Sequence, residues 1–137
     1  MGIFGTKKKT ADTEKLSFSR KEMTAIIQIA GAMAGADGVA HPNEVKMMTI
    51  EAQRFGIEEV DFKRLLSEAS SMDISEALSE IATMNDAQKY YVCAYLGTLM
   101  AIDGDIDDKE KALWQLMSTI CKLPTMSIAN AIAYMTE

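Results

Sequence analysis

Apolar side chains recur along this chain at helical spacing. Met23, Ile26, Ile27, Ala30 and Ala34 follow one another in steps of three, one, three and four, which places them on one face of an α-helix. Just ahead of them, Ser19-Arg20-Lys21-Glu22 has the form of a capping box, with a serine to accept from the third helical N–H and a glutamate to reach back. A second helical face carries Val45, Met48, Ala52 and Phe55. Pro42 suits its first position, where a missing N–H has no helical partner to lose, and Gly56 suits its end. A third segment, 58–69, turns Phe62, Leu65 and Leu66 inward. Asp73-Ile74-Ser75-Glu76 is another capping box and opens a short helix over 74–83. Asn85 with Gln88 opens a long one to Ala101. Asp107 with Glu110 opens a sixth that ends before Pro124, and Thr125 or Ser127 caps the last. Strand-like alternation is scarce. The expectation is an all-α fold, a compact single-domain bundle of about seven helices.

The pattern also repeats. "GADGVAHPNE" at 35–44 aligns without gaps on "AIDGDIDDKE" at 101–110. Asp37 pairs with Asp103, Gly38 with Gly104 and Glu44 with Glu110, each at an offset of 66 (103 − 37, 104 − 38, 110 − 44). Gly31 and Gly97 keep the same offset, and Met48, Phe62 and Leu66 fall opposite Trp114, Ile128 and Ile132. The chain therefore reads as two pseudo-symmetric three-helix units, about 20–70 and 86–136, joined by the short helix at 74–83.

Composition narrows the function. Apolar residues make up 48% and charged residues 25%, the balance of a folded globular chain. No apolar run is long enough for a membrane span, and no secretory signal is present. The net charge is −6, and the cations gather at the start. Residues 17–137 hold ten basic and eighteen acidic residues, a net of 10 − 18 = −8. Such a body repels nucleic acid and suits a cation or a basic partner. Cys93 and Cys121 sit in apolar helical patterns with no Cys-x-x-Cys and no histidine pairing, which fits small buried hydrophobes in a reducing cytosol. The eleven methionines, among them Met33, Met48, Met100 and Met117, read as flexible core filling or as a plastic partner groove. With a single histidine, no nucleophile motif and no phosphate loop, the chain offers little to an enzyme.

Residues 1–17 read as a flexible basic leader ahead of a helical domain over 18–137. "MGIFGTKKK" fits the N-myristoylation pattern through Gly2 and Thr6, or a weaker interfacial contact in which Ile3 and Phe4 enter a membrane surface and Lys7, Lys8 and Lys9 meet anionic lipids.

The Asp-rich turn carries the candidate chemistry. Asp103, Asp105 and Asp107 alternate like a calcium loop, but no EF-hand register fits: counted from Asp103, position 6 is Asp108 and position 12 is Trp114. Helix ending and capping account for Gly104, Asp107 and Glu110. They do not account for Asp37 and Asp103, which sit at helix C-termini where a negative charge opposes the dipole. Backbone N–H groups of the turn, or a hard cation such as Ca²⁺ or Mg²⁺, would satisfy them. The candidate ligands are Asp37, Glu44, Asp103, Asp105, Asp107 and Glu110, with the second turn the richer in oxygen. The alternative is a purely structural or adaptor protein that binds a partner helix or a membrane-associated complex without metal.

"ADGVAHPNEVKMM", "IDGDIDDKEKA" and the leader resemble the TerB-like tellurite-resistance family over about 20–137. What the resemblance implies is a compact, mainly helical bacterial domain with a clustered acidic surface, proposed in that family to bind divalent cations and found in metal-stress gene sets; with the scarcity of catalytic motifs, the expectation is a non-enzymatic stress-response binding module. Its motif positions would be Asp37, Glu44, Asp103 and Glu110, and its partners the proteins of a stress-response assembly. The location implied is cytoplasmic, or peripheral at the inner membrane through the leader. His41 and Pro42 make the first turn less acidic than the second. Tellurite is an oxyanion, so an acidic body disfavours direct capture.

Overall fold

In the computed structural model the described residues are 16–34, 42–102, 106 and 108–136. Among them are seven helices and no strand: α1 (Arg20–Ala34), α2 (Pro42–Arg54), α3 (Glu59–Ser71), α4 (Ile74–Ala82), α5 (Asp86–Ala101), α6 (Asp108–Cys121) and α7 (Ile128–Thr136). The all-α expectation holds, with helix ends within about two residues of their expected places. The leader 1–15 and the turn residues Gly38, His41 and Gly104 lie outside the described residues. Packing begins earlier than the expected boundary at 18, since Leu16 is already buried in the core.

Local chemistry sets the helix starts. At α1, Ser19 Oγ accepts from Glu22 N–H at 3.1 Å and Glu22 Oε1 accepts from Ser19 N–H at 2.8 Å. Asn85 and Gln88 close the same reciprocal pair on α5 at 2.8 and 2.9 Å. Ser127, not Thr125, caps α7 by accepting from Asn130 N–H at 3.0 Å. The box expected at Asp73 does not form: the Asp73 side chain makes no capping hydrogen bond, and Glu76 instead faces Lys21 of α1 at 3.7 Å. Gly56 ends α2 with φ of 84°, a left-handed conformation that glycine adopts without strain.

α1 and α5 form the centre. Every residue of α5 from Tyr91 to Met100 is buried, because α7, α6, α2 and α1 all pack around it. A helix enclosed on all sides has no solvated stripe, which is why this segment is apolar all round. α1 in turn packs against α4, α3 and α5. Two inward assignments are corrected. Val45 is 44% exposed, because α2 turns Glu44, Met48, Glu51 and Ala52 inward instead. Leu66 is exposed as well, because α3 buries Phe62, Leu65 and Ala69.

The offset of 66 recurs in the helix starts: α1 to α5 (86 − 20) and α2 to α6 (108 − 42). α1 packs on α3 and α5 on α7, while α2 packs on α5 and α6 on α1. Glu22 and Gln88, equivalent members of the two capping boxes (88 − 22), meet at 3.5 Å.

Candidate functional site

Glu44 and Glu110 each occupy the third position of their helix, α2 and α6. Both are almost wholly enclosed, with 1% and 2% of their surface exposed. Glutamate is rarely so buried, since removing a carboxylate from water is costly unless its charge is met. The first turn of a helix supplies part of the answer through its free N–H groups and the positive end of the dipole. The other four expected ligands, Asp37, Asp103, Asp105 and Asp107, lie outside the described residues. Among the described residues, no group of three or more His, Cys, Asp or Glu is placed to hold a metal ion.

A polar group faces α2 near this point. Tyr91, Tyr95, Thr98 and Ile102 share one face of α5 by their spacing. Tyr91 bonds Glu51, Tyr95 lines a cavity with Met48, and Ile102 lines a groove with Asn43 and Met47. That row therefore runs antiparallel along α2, with Thr98 on the same face of α5 by its spacing. Thr98 Oγ1 is buried with no hydrogen-bond partner among the described residues.

Residues outside the expected set form a second polar centre. Tyr91 O–H donates to Glu51 Oε1 at 2.6 Å, and Arg54 Nε lies 3.1 Å from Glu51 Oε2. The Tyr91 ring packs in turn against Phe18 and Phe55, the three ring centroids lying 5.3–5.7 Å apart. Burial pushes the Glu51 carboxyl above its ordinary range, with the Tyr91 hydrogen bond and the Arg54 charge pulling the other way. Burial, then the Glu51 charge, raises the Tyr91 phenol well above its usual value. A cavity of about 10 Å³ beside them, lined in part by Glu51, Tyr91 and Tyr95, has room for one water. The sequence signal for Glu51 is its place in the inner row Glu44, Met48, Glu51, Phe55, where a charge reads at first as solvated.

The two thiols are free and buried, and burial raises both above the ordinary cysteine range. Cys93 Sγ lies 3.3 Å from the Pro124 carbonyl oxygen. No helix among the described residues is long and apolar enough to cross a membrane.

A solved structure of the protein of unknown function PG1108 from Porphyromonas gingivalis W83 is 48% identical to this chain. The match covers 86% of this chain and 95% of that one, with a TM-score of 0.76. The chain belongs to the same family as PG1108. The PG1108 likeness extends through the fold but carries no assigned activity. No family model and no curated protein matches the chain, so the TerB-like likeness rests on the two turn motifs and the leader alone.

Proposed function

We propose that the chain is a non-enzymatic, TerB-like stress-response module, built from two duplicated units, that binds a divalent cation at its Asp-Gly turns. The observation that carries this reading is the burial of Glu44 and Glu110, 66 residues apart (110 − 44), each in the first turn of a helix that follows an Asp-Gly pair. Carboxylate oxygens suit Ca²⁺ or Mg²⁺. At the first turn, the buried Thr98 hydroxyl would offer a further oxygen. Asp37 would complete that set. Asp103, Asp105 and Asp107 would complete the set at the second turn and make it the tighter of the two. The cation would link the end of one helix to the start of the next, and so tune whatever surface the module shows its partners.

The test is a Ca²⁺ and Mg²⁺ titration followed by amide NMR on the full chain and on Glu44→Gln and Glu110→Gln. Saturable shifts should appear at the first turns of α2 and α6, and each variant should silence its own turn only. A spectrum that does not move at millimolar cation, or variants that respond like the parent chain, would overturn the reading.

A further inference from the structure

α2 meets the core in a way that no other described helix does. Both of its carboxylates, Glu44 and Glu51, are buried. Of its 13 residues, Met48 and Ala52 are the apolar ones buried with them. Its grip on α1 and α5 therefore depends on how a charge is met, and not on apolar area alone.

Glu51 is the residue on which that grip turns. Its carboxyl lies in the seam between α2 and α5, where Tyr91 O–H donates to it at 2.6 Å. Arg54, on the same helix and exposed to solvent, reaches its other oxygen at 3.1 Å. The remaining walls are neutral. α1 presents Met23, Ile26 and Ile27, and α5 adds Tyr95 to Tyr91. α3, the third helix packed on α2, adds no described side chain to the cavity beside Glu51. Phe18, from the segment before α1, packs on the Tyr91 ring. Burial holds both phenols above their ordinary value, so neither adds a charge. One solvated cation and one neutral donor thus face the carboxyl, and burial outweighs both in favour of the proton. The cavity of about 10 Å³ admits a single water. An ionised carboxylate calls for more than that, and parting α2 from α5 admits it. Gly56, where the helix ends, has nothing within 4 Å of the place a Cβ would take, so the chain can pivot there without a clash.

We propose that α2 is a proton-operated latch: with Glu51 protonated the helix lies closed on α1 and α5, and with Glu51 ionised it lifts away, pivoting at Gly56 and baring the face formed by Met23, Ile26, Ile27, Tyr91 and Tyr95. The closed state holds the proton more tightly than the open one. Closure is therefore fully supported below the ordinary value of 4.5 and weakens as pH rises, by up to about tenfold per pH unit, until Glu51 has lost its proton in the closed state too. The latch needs no metal, so it stands apart from cation binding at the Asp-Gly turns.

The experiment is native-state hydrogen exchange on the full chain in EDTA, from about pH 4 to about pH 8, with each amide corrected for its intrinsic rate. The Glu51 carboxyl is followed alongside by NMR. The opening constant of the α2 amides should rise by up to about tenfold per pH unit and level off where the carboxyl signal completes its titration, while those of α1, α3 and α5 stay flat. Glu51→Gln should hold α2 at its acid-side protection at every pH. Arg54→Gln, which removes the facing cation at an exposed position, should move the carboxyl titration and the levelling-off to higher pH together. An α2 opening constant that ignores pH, a Glu51→Gln chain that keeps the parent's slope, or α1, α3 and α5 rising in parallel with α2 would overturn the latch. A levelling-off that shifts in Arg54→Gln without the carboxyl titration would overturn it as well, by assigning the proton to another group. Because metal is absent throughout, a negative result here leaves the cation reading standing, and the reverse.

Discussion

Gly31 and Gly97 share the sequence offset of the two Asp-Gly turns (97 − 31 = 66), yet the same substitution should move stability in opposite directions. At Gly31 an added Cβ meets nothing within 4 Å. The residue is exposed on α1, so Gly31→Ala removes only the entropic penalty of glycine in a helix and should stabilise by about 0.5–1 kcal/mol. At Gly97 the added Cβ would lie 2.8 Å from Trp114 Cζ2, 3.2 Å from Trp114 Cε2 and 3.1 Å from Ala131 Cβ. Ordinary carbon contacts need about 3.5 Å, so the indole must retreat by about 0.7 Å. It is held in place, since Trp114 Nε1–H donates to the Cys93 carbonyl at 3.2 Å. The methyl is confined on the α6 side by Trp114 and on the α7 side by Ala131. Overpacking of this kind costs about 1–3 kcal/mol, against a propensity gain of at most about 1 kcal/mol. Gly97→Ala should therefore destabilise by about 1–2 kcal/mol, or about 4 °C in Tm for each kcal/mol. Urea unfolding followed by circular dichroism, with the slope m unchanged, measures both variants. Trp114→Phe, which removes the clashing edge, should recover part of the loss in the Gly97→Ala background. If both glycine substitutions shift the midpoint the same way, or Gly97→Ala unfolds at or above the parent chain, the close approach of α5, α6 and α7 has been misjudged.

Other outcomes follow from the polar centres. Because burial raises the Glu51 carboxyl in the folded state, its protonated form is favoured there; the stability it contributes is full below the ordinary value of 4.5 and is lost as pH rises through the raised folded value. Glu51→Gln keeps an acceptor for Tyr91 O–H and should be at least as stable as the parent at neutral pH, with the gap between them closing toward pH 4.5 in parallel urea titrations. A gap that widens on acidification would contradict this. Tyr91→Phe leaves Glu51 buried without its phenol donor and should cost about 1–3 kcal/mol by the same measurement. Asn85→Ala, which opens the capping box of the most enclosed helix, should cost about 1 kcal/mol, whereas Asp73→Ala, at a cap that makes no side-chain bond, should cost less.

The helices were legible because each declares itself locally. Ser19, Pro42, Asn85 and Gly56 act within a turn of themselves, and their spacing needs no knowledge of the neighbours. What stayed hidden depends on three-dimensional company. Val45 and Glu44 are adjacent in the chain, and a periodicity argument gives the inner place to the valine; burial gives it to the glutamate, because the first turn can receive a carboxylate. The Glu51–Tyr91 bond joins residues 40 apart, and nothing local in either segment announces it. Gly31 and Gly97 look alike in sequence and differ only in what α6 and α7 bring against one of them. Of the candidate site, the motif glutamates emerged from the repeat, while their enclosure and the burial of the Thr98 hydroxyl came only from the packing.

The meeting of Glu22 with Gln88 forbids the two capping boxes from being alike in one respect. Gln88 Nε2 points its N–H groups at Glu22, 3.5 Å away, and at the Ser17 carbonyl, 2.6 Å away. A glutamate in place of Gln88 would close its own box equally well, but would set two carboxylates against each other at that distance and leave the Ser17 carbonyl without its donor. The choice of an amide at this helix start is therefore made by the neighbouring helix start and not by capping.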